Sequence, residues 1–436
     1  MTPELRVDGR RMVADLRELA ALTSDAGGAQ RVAWTPTWLA ARAWLRERLA
    51  ACGVAVEHDA AANGWALLPG HPGTPTLALG SHLDSVPDGG WLDGALGVVA
   101  ALEVVRSAAE QGWREATLAL VDWADEEGAR FGHSLLGSSA ACGLLDAAAV
   151  AELRDADGAR FADVAAAHGV AVAAMPEASE RLAQVDALLE LHIEQGPVLE
   201  AAGRALGVPR GAVGVERLRV VFAGQAAHAG TTPLPLRRDA GAAAARLALA
   251  ARDAAATAGG LATAGALRLE PGIVTAVAGR AELLVDLRHE RQQELLALRA
   301  AVERAAREIA ADERVEVEVA PLWATPAVAF DARLVAALEA AVAADRGAAD
   351  ADSGAAGADS GAAGTSDAGS RALVSGALHD SVAVARAGVP AAMLFVRSIG
   401  GISHNRIEDS AEDDLVAALG AYAAAVSAAA RIVEPR

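Results

Sequence analysis

Apolar residues recur at helical spacing through "PTWLAARAWLRERLAACG", which ends on Gly53 and predicts an amphipathic helix. Short apolar runs follow at "GWALLPG" and "TLALG", and later at "ATLALVDWA" and "DALLELHIEQG". Each has the length of a strand, and each leads into polar or glycine-rich sequence. The helical pattern "GALGVVAALEVVRSAAEQG" lies between two of them. Strands alternating with helices predict an α/β fold, a sheet covered by helices. Ligands of such sheets gather at the carboxyl ends of the strands. His82, Glu126 and His192 fall at or just beyond such ends.

The order changes near Val215. "VERLRVVFAG" reads as a strand and "LRRDAGAAAARLALAARDAAATAGG" as a helix. "ALRLEPGIV" and "AELLVDLR" follow as strands, "RQQELLALRAAVERAAREIAAD" as a helix and "RVEVEVA" as a last strand. This βαββαβ order is that of a ferredoxin-like unit inserted into the first domain. The expected organisation is a discontinuous main domain, 1–212 and 327–436, carrying an inserted domain at 213–326. The segment "ADSGAAG" occurs twice in tandem, at 351–357 and 358–364. Small, polar and acidic, it buries too little apolar surface to order itself, so 351–370 is expected to be a flexible surface insertion without a catalytic role.

Composition narrows the function classes. At 436 residues the chain exceeds one ordinary core, which supports two domains. Hydrophobic residues make up 53%, much of it alanine, and no run approaches the ~20 apolar residues of a membrane span. The start "MTPELRVDGRRM" lacks the apolar core of a signal peptide. Two cysteines, Cys52 and Cys142, make no disulfide framework, which suits a reducing cytoplasm. A net charge of −19 and 3% aromatic residues argue against a nucleic-acid partner.

Chemistry concentrates at the strand ends. "GSHLDSVPDGGWLDGALG" packs His82, Asp84 and Asp93 among glycines, Glu126 and Glu127 are adjacent, His192 follows "LLEL", and His404 follows "GIS". Imidazole and carboxylate are the ligands that suit zinc and similar first-row ions. Two histidines and a carboxylate serve one ion, and a bridging Asp93 would let the remaining histidine and carboxylate serve a second. Each element alone is ordinary: an H-x-D pair, a Glu–Glu pair or one strand histidine has a structural reading. Their common edge of the sheet sets them apart.

"GSHLDSVPDGGWLDGALGV", "DEEGARFGHSLLGSSA", "ELHIEQGP", "AHAGTTPLPLRRDA" and "MLFVRSIGGISHNRIE" together resemble the M20-type metal-dependent amidases. More narrowly, they are similar to the branch of N-carbamoyl-L-amino-acid hydrolases and allantoate amidohydrolases (the hydantoinase/carbamoylase family). The resemblance runs from about Arg31 to the C-terminal helix. It implies a dinuclear metallohydrolase domain with two divalent ions (zinc, or manganese, cobalt or nickel). One ion would be held by His82, Asp93 and His192, the other by Asp93, Glu127 and His404. Asp84 would orient His82, and Glu126 would be the general base. Gln195, His228 and Arg288 would contact substrate, with His228 closing over it as an oxyanion donor. The inserted domain would be a lid and the interface of a homodimer.

The implied reaction is hydrolysis of a linear amide or ureido C–N bond in a small carboxylated substrate, first an N-carbamoyl-L-amino acid. Allantoate is the rival substrate, and an M20-type exopeptidase or aminoacylase is a further alternative. A non-catalytic relative would lack a ligand or the base, and all are present. Departures from the family pattern are Thr275 in place of an asparagine, Leu378 and Ser381 in "SGALHDS", and Leu234 in place of methionine.

Overall fold

The structure, a computed structural model, describes residues 5–352 and 373–436. From residue 353 onward the expected insertion at 351–370 lies outside the described residues. Its first two residues extend the helix Ala332–Asp352. The chain divides into two compact units, Met1–Arg210 with Phe330–Arg436, and Gly211–Ala329. The crossing points flank a short antiparallel pair, Gly211–Ala212 with Val328–Ala329, which closes the base of the second unit.

The first unit is built on a seven-stranded mixed sheet. Its four central strands, in spatial order Thr117–Trp123, Thr76–His82, Ala187–Ile193 and Ala391–Val396, are parallel. Antiparallel strands flank them: Gly64–Leu68 and then Val56–His58 on one side, Leu206–Gly207 on the other. Ala187–Ile193 and Ala391–Val396 are buried at every position. Burial on both faces explains why "ALLELHI" and "AAMLFV" are nearly continuous apolar runs rather than alternating ones. All four parallel strands end on the same edge, so their carboxyl ends deliver His82, Asp125–Glu127, His192 and the His404 loop to one place.

Helices cover the sheet. Pro36–Ala51 starts on Thr35, whose hydroxyl caps the backbone N–H of Trp38, with proline at the first helical position. Ala95–Gln111 follows Asp93 directly and ends at Gly112 in the left-handed conformation. Beneath the sheet, Trp34, Trp38, Trp65, Trp123, Phe131 and Phe161 are part of one buried cluster. Glu412–Ile432 is, among the described residues, the helix long and apolar enough to cross a membrane, a feature that the reading of apolar runs overlooked. Here it packs against Gly9–Thr23, Ala332–Asp352 and the sheet, and Tyr422 donates to the carbonyl of Leu189 at 2.6 Å.

The second unit has a four-stranded sheet with every pairing antiparallel, in the order Leu261–Glu270, Arg280–His289, Gly214–Ala223, Glu316–Thr325. Helices Ala240–Ala258 and Gln292–Glu313 pack on one face, burying Leu218, Phe222, Leu247, Leu283 and Leu298. Strand Arg280–His289 alternates buried and half-buried positions, as one covered face requires. The strand expected at "ALRLEPGIV" instead spans Leu261–Glu270, because Pro271 cannot donate to the ladder. Ile273 and Val274 fall beyond it and are exposed.

Candidate metal centre

His82 is the last residue of its strand and is buried. Its Nδ1 donates to the main-chain carbonyl of Asp84 at 3.1 Å, which leaves Nε2 free to face Asp93 and Glu126. The Asp84 carboxylate does something else with its two oxygens. It accepts the backbone N–H groups of Glu126 and Glu127, at 3.2 and 3.1 Å, and so fixes the turn that aims both glutamates. The tautomer of His82 is thus set by the Asp84 carbonyl, with the carboxylate at 3.6 Å. His192 is oriented in the same way: Nδ1 donates to Ile193 O at 2.9 Å, turning Nε2 inward.

Asp93 lies between two groups of donors. Its Oδ1 is 3.2 Å from His192 Nε2 and 4.0 Å from His82 Nε2. Its Oδ2 is 3.2 Å from His404 Nε2, which is itself 3.4 Å from Glu127 Oε2. Two sets of candidate ligands therefore share Asp93, His82–Asp93–His192 and Asp93–Glu127–His404, each with ligand atoms within 4.8 Å of one another; a third group, Glu190–His192–His379, shares His192. Glu126 belongs to neither set; its Oε2 stands 3.7 Å from His82 Nε2. The Gln195 amide donates to Asp93 Oδ2 at 2.8 Å, which places Gln195 beside the cluster.

The donor chemistry fits divalent cations. Histidine with carboxylate is the set that first-row ions prefer. His192 Nε2, Glu127 Oε1 and Gln195 Oε1 are buried without a hydrogen-bond partner, and His192 Nε2 meets Asp93 Oδ1 off the axis of such a bond. Unpaired buried donors and acceptors are costly unless something else binds them. Electrostatics agree. Burial, with the nearby charge of Asp93, pushes Glu127 up to about 7. Burial likewise holds Glu126 well above the carboxylate range, with Asp380 and Glu127 adding to it. A hydrogen bond to Asp93 raises His404 to about 9. A cation bound among these groups would favour their ionised carboxylates.

Gly94 has φ 64° and ψ −48°, and a Cβ built there would overlap the His82 ring. Gly94→Ala is expected to strain the backbone by about 1–3 kcal/mol and to push His82 out of line. Ion affinity, read by competition with a chelator, should fall by about 10- to 100-fold while the far-ultraviolet circular dichroism spectrum is preserved.

Some supporting residues escaped the sequence reading. Glu408, inside the quoted "SHNRIE", accepts the backbone N–H groups of Leu92 and Asp93. Arg31 is fully buried and forms no ion pair among the described residues; its Nε donates to Leu83 O at 2.8 Å. Behind His192, buried Glu190 accepts from Ser81 Oγ at 2.7 Å and from the Ser381 hydroxyl. His379 stacks edge-on against His192, ring centroids 4.5 Å apart. Nothing in local spacing marks these residues, since each acts on a segment distant in the chain. His228 and Arg288 belong to the second unit. His228 is exposed at a two-residue strand paired with Ala276–Val277, and Thr275 O accepts the N–H of Ala229. Arg288 Nε pairs with Asp286 Oδ1 at 2.7 Å.

A mixed sheet with a histidine–carboxylate cluster at the carboxyl edge of its parallel strands suits a metal-dependent hydrolase, and the relatives are of that class. The model of peptidase family M20/M25/M40 matches residues 78–428, and the chain belongs to that family. Members are metal-dependent, and the two donor sets are groups that could bind a metal. Among its relatives is the N-carbamoyl-L-amino-acid amidohydrolase of Paenarthrobacter aurescens, 32% identical over 414 residues, 94% of this chain and 95% of the relative. The allantoate amidohydrolase of Escherichia coli (strain K12) is 31% identical over 396 residues, 89% of this chain and 90% of the relative. A solved amidase of the hydantoinase/carbamoylase family from Burkholderia multivorans superposes with a TM-score of 0.81 at 32% identity, covering 98% of this chain and 99% of that one.

Proposed function

We propose that the chain is an amidohydrolase with two divalent ions that cleaves a linear ureido C–N bond, first of all in an N-carbamoyl-L-amino acid. One observation carries the reading: the two oxygens of Asp93 face two separate sets of donors, the arrangement of a bridging carboxylate. His82 and His192 would hold one ion with Asp93, and Glu127 and His404 the other. Bound divalent ions supply a Lewis-acid charge that polarises the scissile carbonyl and acidifies water near neutral pH.

Glu126 is the general base of this scheme. Its carboxylate stands beside the ligands without belonging to either set, which suits a group that takes a proton from the attacking water and returns it to the leaving nitrogen. Gln195, Oε1 unpaired, offers an amide to the ureido group. His228 would donate to the developing oxyanion, and Arg288 would pair its planar fork with the substrate carboxylate. The second unit, ferredoxin-like in strand order, would be the lid in this scheme. Its strand Leu261–Glu270 is exposed along an open edge, with Leu261, Leu267 and Leu269 in solvent, which supports a homodimer through this unit. The free cysteines Cys52 and Cys142 suit a reducing, cytoplasmic setting.

Allantoate, named for the Escherichia coli relative, is the second reading. Ammonia release should be measured with zinc or manganese across N-carbamoyl-L-amino acids and allantoate, with dipeptide cleavage followed alongside. The expected result is turnover of at least one ureido compound, fastest among the N-carbamoyl-L-amino acids. Cleavage of dipeptides alone would replace the reading with an exopeptidase.

A further inference from the structure

Glu408 follows His404 by one turn of loop and is 2% exposed, yet it belongs to neither donor set. Its Oε1 accepts two adjacent main-chain donors, Leu92 N at 3.1 Å and Asp93 N at 3.0 Å. Its Oε2 accepts from Ser403 Oγ at 2.9 Å, and that hydroxyl also lies 2.8 Å from Asp93 Oδ2. The turn approaches so closely that a Cβ at Gly90 would overlap the Glu408 carboxylate. A second tie runs alongside, from Trp91 Nε1 to Asp409 Oδ1 at 3.2 Å.

These contacts join two loops that lie 315 residues apart in the chain. One loop presents Asp93, and the other presents His404. Asp93 and His404 themselves lie in no strand, and the Glu408 carboxylate supplies the paired main-chain contacts between the two loops, with the Ser403 and Trp91–Asp409 contacts beside it. A carboxylate suits the task, because one oxygen can take both N–H groups and the other remains for the serine. We infer that Glu408 is a positioning residue that locks the Asp93 turn to the His404 loop and thereby sets the site formed by Asp93, Glu127 and His404. The inference rests on the metal reading proposed above.

The test compares Glu408→Ala and Glu408→Gln in the full chain by two measurements. Amide hydrogen exchange reads Leu92 and Asp93 directly, with no ion needed. Zinc titration against a chromophoric chelator reads each equivalent of ion. In Glu408→Ala the two amides should exchange faster by a factor on the order of 10, with the change confined to the two loops. The zinc equivalent at Asp93, Glu127 and His404 should weaken by about 10- to 100-fold, and the other, which shares Asp93 but not the His404 loop, should weaken less. Glu408→Gln should restore both readings, because its amide oxygen still accepts both N–H groups. A purely structural brace would instead speed exchange across the whole unit. Unchanged exchange at Leu92 and Asp93, or wild-type affinity for both equivalents in Glu408→Ala, would overturn the inference. Wild-type protein that takes up no zinc would overturn the metal reading instead, and the exchange measurement would still decide whether the clamp exists.

Discussion

Glu126→Gln is expected to keep its ions and lose turnover by about 10²- to 10⁴-fold, the usual worth of a positioned general base. The substitution conserves volume and leaves the backbone N–H of residue 126 on Asp84, so the turn stays intact. What disappears is the ability to accept a proton. Glu126 is the carboxylate of the Glu–Glu pair that joins neither donor set, so ion binding should be spared. The neighbouring Glu127→Gln should behave in the opposite way, lowering ion affinity first and turnover as a consequence. Ion content by atomic emission, beside the rate of ammonia release, separates the two. Glu126→Gln with wild-type turnover would remove the general-base assignment.

Asp93→Ala is expected to have the largest effect of any single substitution, because one side chain serves both sets. Oδ1 faces His192 and His82 while Oδ2 faces His404. Its loss should abolish tight binding of both ions and all measurable turnover. His404→Ala makes the contrast, since His404 reaches only the Oδ2 side and its loss should spare the ion at His82 and His192. Asp93 also accepts from Gln195 and lies 2.8 Å from the Ser403 hydroxyl, so its removal frees both of those segments as well. Zinc titration of the two variants should therefore show a flat curve for one and a single equivalent for the other. Retention of both equivalents in Asp93→Ala would rule out a bridging role.

The parallel strands were readable because both of their faces are buried, which writes them as continuous apolar runs. The cluster was readable for a related reason: His82, Glu126 and His192 sit within a few residues of strand ends, so the sheet's geometry brings them together. Support from a distance was not readable. Glu408 clamps Leu92 and Asp93, and Arg31 holds Leu83 O, through contacts that only the folded chain creates. The role of Asp84 shows a subtler limit. An H-x-D spacing suggests a carboxylate on the imidazole, but the main-chain carbonyl takes that bond and the carboxylate goes to the Glu126 turn. Backbone acceptors carry no mark in a sequence. The strand end at Glu270 was misplaced because apolar "GIV" continues past Pro271, where the ladder stops. The helix Glu412–Ile432 hid its apolar length in alanine, and its burial within the unit accounts for that composition.

The most direct test is to strip the protein of metal with a chelator and titrate zinc back while following ammonia release from an N-carbamoyl-L-amino acid. The predicted result is no turnover in the stripped protein, with activity that rises and levels off at two zinc equivalents per chain. Turnover that survives chelation, or a plateau reached at one equivalent, would contradict a two-ion hydrolytic centre built around Asp93.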